Sequence, residues 1–210
     1  MKKFWPISLF AISFALVEAA VVVYLRALYY PQGFDFPLNT PPDGMLRMEL
    51  LRELATLAML GSVGAAAGKN GWQKFAYFMY GFGLWDIFYY VWLEVFIGWP
   101  ASFFTPDLLF LLPVVWWGPV LAPVVVALSL CISAAIIVRR GEEGKELPLK
   151  ATDVALVTAG AVLILYTFMV DAPILQAGGL PPPYRWGTFW FGEAIGILAF
   201  ARMLRRRTDG

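Results

Sequence analysis

The chain has 210 residues, 60% of them hydrophobic and 15% charged, with a formal net charge of +1. Soluble domains run nearer to about 45–50% apolar and about 25% charged, so this composition excludes an ordinary soluble domain, and near-neutrality supplies no field for nucleic acid. With one cysteine and no histidine, an intramolecular disulfide is excluded, as are bis-His haem, the usual zinc and copper sites, Ser-His-Asp chemistry and the Glu-x-x-His di-iron pattern. No cofactor is expected; a metal, unidentified by sequence, would have to be a hard cation on oxygen ligands.

The apolar residues come in long runs, and several reach the roughly 20 residues that cross a hydrocarbon core. The expected fold is an all-α, polytopic membrane bundle of about six helices forming a single domain over residues 1–210. Segment one runs from about Phe4 to Leu28. Met1-Lys2-Lys3 and the following apolar stretch resemble a secretory signal, but no polar mature start follows Ala20, and the segment is read as a retained span. Segment two covers about Met45 to Ala67 and segment three about Phe75 to Ile97. Segment four lies within Asp107 to Val138, which is 32 residues. As a continuous helix it would measure about 48 Å, too long for one upright span. Pro113, Pro119 and Pro123 surround Trp116-Trp117-Gly118, and proline removes a backbone donor and clashes with the preceding turn. A re-entrant or interfacial piece through Trp117 is therefore expected, followed by a span from about Pro119, with Gly118 facing the bundle interior. Segment five lies between Thr152 and Val170, uncharged from Val154 on, and segment six between Gly187 and Leu204.

Loop charge is lopsided. Lys2, Lys3, Lys69, Lys74, Arg139, Arg140, Lys145, Lys150, Arg202, Arg205, Arg206 and Arg207 fall on one side, and only Arg185 lies in the opposite loops. The positive-inside rule then puts both termini in the cytoplasm of a cell (inner) membrane, with Arg205-Arg206-Arg207 as a topology anchor near anionic lipid. The opposite loops, Tyr29 to Asp43 and Leu180 to Trp186, are rich in Pro, Tyr and Trp, the composition of an interfacial aromatic belt.

Four acids lie well inside predicted spans: Glu18, Glu53, Asp86 and Glu193. Each costs about 2.5–3.5 kcal/mol at a helix centre on insertion scales. At about 1.5 Å per residue, all four fall near one level in the outward half of the bilayer. Glu49 precedes Glu53 by four residues on the same helix face, and Arg52 is beside them. This set (Glu18, Glu49, Arg52, Glu53, Asp86, Glu193) is the candidate ion- or proton-binding site. Arg26, Tyr89, Tyr90, Glu94, Trp116 and Trp117 are the candidate pore or ligand lining; no catalytic residue is assigned.

Carboxylates without partners at membrane depth protonate, share a proton or hold a cation. The leading expectation is ion or proton binding or translocation, by a homo-oligomer or together with other membrane subunits, given the small size. Two alternatives stand. One is a small membrane subunit or assembly factor of a larger complex, binding partners, quinone or lipid between its aromatic helices. The other is an intramembrane enzyme acting on lipid-like substrates, against which no Asp-x-x-Asp pair appears in the sequence. A closed salt-bridge network that only fixes helix packing would use the same residues.

Overall fold

The computed structural model describes residues 2–39, 42–145 and 150–206; Met1, Thr40, Pro41 and Arg207, which entered the first-segment, loop and anchor assignments, lie outside them. Six long helices and a five-residue one surround a β-hairpin. In chain order they are α1 (Phe4–Tyr29), α2 (Asp43–Ala67), α3 (Gly71–Ile97), β1 (Pro106–Phe110), β2 (Trp116–Pro119), α4 (Leu121–Glu142), α5 (Ala151–Met169), α6 (Ala172–Gln176) and α7 (Trp186–Arg205). The stretches Phe4–Tyr29, Asp43–Ala67, Leu121–Glu142 and Ala151–Gln176 are long and apolar enough to cross a membrane. Leu9, Leu16, Val17, Leu51, Leu54, Leu128, Ile132, Val162 and Leu198 stand exposed on helix surfaces, consistent with a membrane protein, whose lipid solvent welcomes such residues.

Helix α3 is the hub, packing against α1, α2 and α4, while α5 pairs with α7. Its ends are set locally. The Asn70 side chain accepts the Gln73 amide at 2.9 Å, and the Gln73 side chain accepts the Lys69 amide at 3.0 Å, satisfying donors at the first turn. At the other end Gly98 takes a left-handed conformation, φ 62°, which glycine adopts without steric cost. Small residues decide how closely the helices approach. The buried face of α1 carries Ile7, Ala11, Ala15 and Ala19 at helical spacing, a smooth stripe against which α3 lies. Gly83 of α3 meets α4 so closely that a Cβ there would sit 2.5 Å from the Ala127 carbonyl oxygen. Segment five is a packing helix: Gly160 of α5 and Gly192 of α7 face each other, and a Cβ on either would come within 3 Å of the other's carbonyl oxygen.

The broken fourth segment departs from the all-α expectation. It holds no helix before Leu121; instead β1 and β2 form an antiparallel hairpin with Asp107 opposite Gly118 and Leu108 opposite Trp117. Three prolines (Pro106, Pro113, Pro119) and three β-favouring aromatic residues (Phe110, Trp116, Trp117) in this stretch disfavour a helix, and strand pairing gives the backbone another way to satisfy its amides. Hairpin tip residue Phe110 stacks on Phe82, in mid-α3, with ring centroids 6.5 Å apart. The base is anchored near the helix ends, where the Val120 and Leu121 amides donate to the Thr105 and Phe103 carbonyls. Gly118 is buried as expected, against Phe168 of α5 and Tyr184.

The opposite end of the bundle is tied by polar contacts. Lys3 donates to the Ala67 carbonyl, Arg140 to the Leu204 carbonyl at 3.0 Å, and the buried Asp153 pairs with Arg202 and Arg206. Arg206 is thus held by α5, which narrows its expected role as a lipid-facing anchor.

The close α5–α7 contact yields a direct test. Gly192→Ala drives a methyl into the Gly160 carbonyl and should destabilise the protein by about 1–3 kcal/mol. Gly61→Ala, whose added methyl meets nothing within 4 Å, should be neutral or slightly stabilising. Detergent-micelle unfolding of both variants, monitored by circular dichroism, measures the difference.

Candidate functional site

The upper halves of α1, α2 and α3 bring their polar residues together because those residues continue the buried stripes of each helix. On α2 the buried positions are Glu49, Glu53, Thr56, Leu60 and Gly64, a run of i+3 and i+4 steps that is polar near the outer end and apolar below. On α1 the alanine stripe continues into Glu18 and Arg26. One helix face thus serves for close packing in one half and for a polar wall in the other.

These walls and the hairpin enclose a cavity of about 550 Å³. Five carboxyl side chains line it: Glu18, Glu49, Glu53, Asp86 and Asp107. Among the described residues its basic lining residues are Arg26 and Arg52, and its aromatic ones include Tyr29, Tyr30, Phe34, Trp85, Tyr89, Tyr90 and Phe110.

Arg52 binds two acids at once. Its Nε donates to Glu49 Oε2 at 2.8 Å, and its Nη1 pairs with Glu18 on the neighbouring helix, so the guanidinium joins α1 to α2. Thr56 Oγ1 donates to the other Glu18 oxygen at 3.4 Å. Glu53 faces the hairpin instead, and both its oxygens accept the Leu111 amide, at 2.9 and 3.0 Å. That bond gives a turn amide at the hairpin tip a charged acceptor, which is stronger than a neutral one. Arg26 Nη2 donates to Asp107 Oδ1 at 2.9 Å, and its guanidinium lies 3.8 Å from the Trp99 ring centroid and 4.6 Å from that of Phe34, a cation–π arrangement. Asp86 differs from the other four acids. Among the described residues it has no hydrogen bond or ion pair, and its nearest charged neighbour is another acid, Asp107. Buried Asp107 Oδ2, Arg26 Nη1 and Trp85 Nε1 also lack protein partners.

Of the expected site, Glu18, Glu49, Arg52, Glu53 and Asp86 gather here, with Arg26, Tyr89 and Tyr90 from the expected lining. Four residues lie elsewhere. Glu193 sits at a similar depth on α7 but turns toward α4, accepting from Ser129 Oγ at 3.0 Å. Glu94 is exposed on α3. Trp116 packs between Phe110 and Phe168. Trp117 Nε1 donates to Asp171 Oδ2 at 3.3 Å, an oxygen that Arg185 also binds at 2.5 Å, which fastens the hairpin to the outer end of α5. As adjacent residues of a strand, Trp116 and Trp117 point to opposite faces of the hairpin, the first toward Phe110 and Phe168 and the second toward Asp171 and Tyr184.

Asp107, Thr56 and Tyr30 were missed as members of the site. Asp107 is fully buried, yet in sequence it stands at the edge of an apolar run, as an ordinary interfacial acid would. The Leu111 amide carries no sequence signal at all. Comparison with protein-family models, with curated proteins and with solved structures finds no match to this chain.

The Arg52 clamp is testable by a double-mutant cycle. Arg52→Met leaves Glu18 and Glu49 buried without their cation and should cost about 3–5 kcal/mol. Adding Glu18→Gln to Arg52→Met should recover part of that loss, whereas independent sites would give additive destabilisation. Unfolding in mixed micelles measures all four corners of the cycle.

Proposed function

We propose that this chain is an inner-membrane protein whose acidic cavity binds a cation, the proton included, and carries it across the bilayer. The observation that carries the reading is the charge balance of the cavity wall: five carboxyls against two guanidiniums, with Asp86 unpaired. A formal excess of three negative charges in a low-dielectric interior must be neutralised by protons or by a bound cation. A purely structural network would approach neutrality, as the Arg52–Glu18–Glu49 and Arg26–Asp107 groups nearly do by themselves. Asp86 is superfluous to both.

The re-entrant hairpin supports the same reading, since non-helical backbone at membrane depth is tolerated against protein or a wet cavity. The proposed topology has six crossings with both termini cytoplasmic. Lysine and arginine cluster in alternate loops, and the helix ends that bear them are neighbours: the start of α1 touches the end of α2, and the end of α4 touches the end of α7. The cavity then opens toward the outer side.

Proteoliposomes containing the purified protein, loaded with pH-, Na⁺- and K⁺-sensitive dyes, test this. At least one of the three cations should flow faster than in empty vesicles. Asp86→Asn should cut that flux at least tenfold, and Glu193→Gln should leave it within twofold. Asp86→Asn flux equal to that of the unsubstituted protein overturns the assignment.

A further inference from the structure

The reading of the cavity as a cation site leaves open what kind of cation it accepts, and its dimensions and walls narrow the choice. A cavity of about 550 Å³ has the size of sites for drug-like molecules, which span about 300–1,000 Å³. It equals the liquid volume of roughly eighteen waters at about 30 Å³ each, far more than an inorganic ion requires. The acids are also dispersed around it: among the described residues no three of them converge as ligands for a metal ion. Between them stand aromatic rings, including Trp85, Tyr89, Tyr90 and Phe110. These surfaces hold an apolar body well and a hydrated ion poorly.

The protein's own Arg26 gives an internal precedent. Its guanidinium is a planar organic cation, buried, ion-paired to Asp107 and stacked on Trp99 and Phe34. The wall therefore already solvates one organic cation by a carboxylate and aromatic faces together. A second set of the same elements lies vacant of protein partners: Asp86 with no cation, beside Trp85, Tyr89 and Tyr90. The fully buried Asp107 adds a second carboxylate oxygen, Oδ2, which Arg26 does not engage and which the Tyr90 hydroxyl borders.

We infer that the cavity binds an amphipathic organic cation, with its ammonium centre between Asp86 and Asp107 and its apolar or aromatic body against Trp85, Tyr89 and Phe110. This inference rests on the cavity being a cation site, and it adds the substrate class. A proton or alkali ion would then be the coupled ion rather than the principal ligand.

The test uses the full chain in non-ionic detergent, with benzyltrimethylammonium as probe and neopentylbenzene as its uncharged isostere. Binding is followed by tryptophan fluorescence and by calorimetry. Benzyltrimethylammonium should bind saturably and at least tenfold more tightly than neopentylbenzene, a comparison that needs no variant. Asp86→Asn, confirmed monodisperse by size exclusion, should abolish that preference, and Asp86→Glu should retain most of it. Tyr89→Leu should weaken binding of the organic cation severalfold more than binding of neopentylbenzene. Equal binding of the charged and uncharged probes, or a charge preference that survives Asp86→Asn, overturns the inference. Failure of the organic cation to bind, alongside Asp86-dependent proton or alkali flux, overturns the inference alone and leaves the cation site standing. Absence of both overturns both.

Discussion

A backbone that leaves the helix inside a bilayer must find partners for its amides and carbonyls, because lipid supplies none. In the proposed membrane setting, that constraint organises the half of the protein that holds the cavity. The hairpin meets it by pairing β1 with β2, and at its tip by giving the Leu111 amide to the Glu53 carboxylate. The acid on α2 is thereby held by the hairpin, and the hairpin by the acid. Remove either and the other is left buried without a partner, at a cost well above the net worth of the bond itself.

From this the remaining geometry follows. With the hairpin occupying space between α1–α3 on one side and α5 on the other, the outer ends of the first three helices cannot close on each other. Their lower halves do close, through Ala11, Ala15, Leu60 and Trp85. The upper halves stay apart around the cavity, bridged where Arg52 and Thr56 reach from α2 to Glu18 of α1. Two guanidiniums hold the walls in place, each consuming carboxylates as it does so. Of the two acids that no guanidinium pairs with, Glu53 is taken by the Leu111 amide, and Asp86, on the hub helix, is left over. Its isolation is the feature on which the proposed cation site rests.

The aromatic content, read in sequence as an interfacial belt or a packing device, divides by depth in the same way. Trp117, Tyr184, Trp186 and Phe189 form a ring-packed cluster that fastens the hairpin to α5 and α7. Trp85, Tyr89, Tyr90 and Phe110 line the cavity. The first group makes the hairpin rigid, and the second gives the cavity faces that suit an apolar or cationic body. The Trp116-Trp117 pair was legible as a break in the chain but not as a strand of a hairpin, since strand pairing is a non-local property.

What the sequence by itself determined is one-dimensional. Run length set the helices, proline density set the place where the fourth segment fails to be helical, and residue count along each span set the depth of each acid. The stripe on α2 was legible too, because Glu49, Glu53 and Thr56 repeat at helical spacing. Depth, however, is only one coordinate. Glu193 lies at nearly the level of Glu18, Glu53 and Asp86, yet α7 is rotated so that its acid meets Ser129 of α4. Asp107 sits at the margin of its segment and is nonetheless drawn into the site, because the hairpin brings it opposite Arg26, 81 residues away in the chain. Which way a helix faces, and what a strand pairs with, are settled by contacts between distant residues. Only the tertiary structure could decide that five acids, and not the four that share a level, surround one cavity.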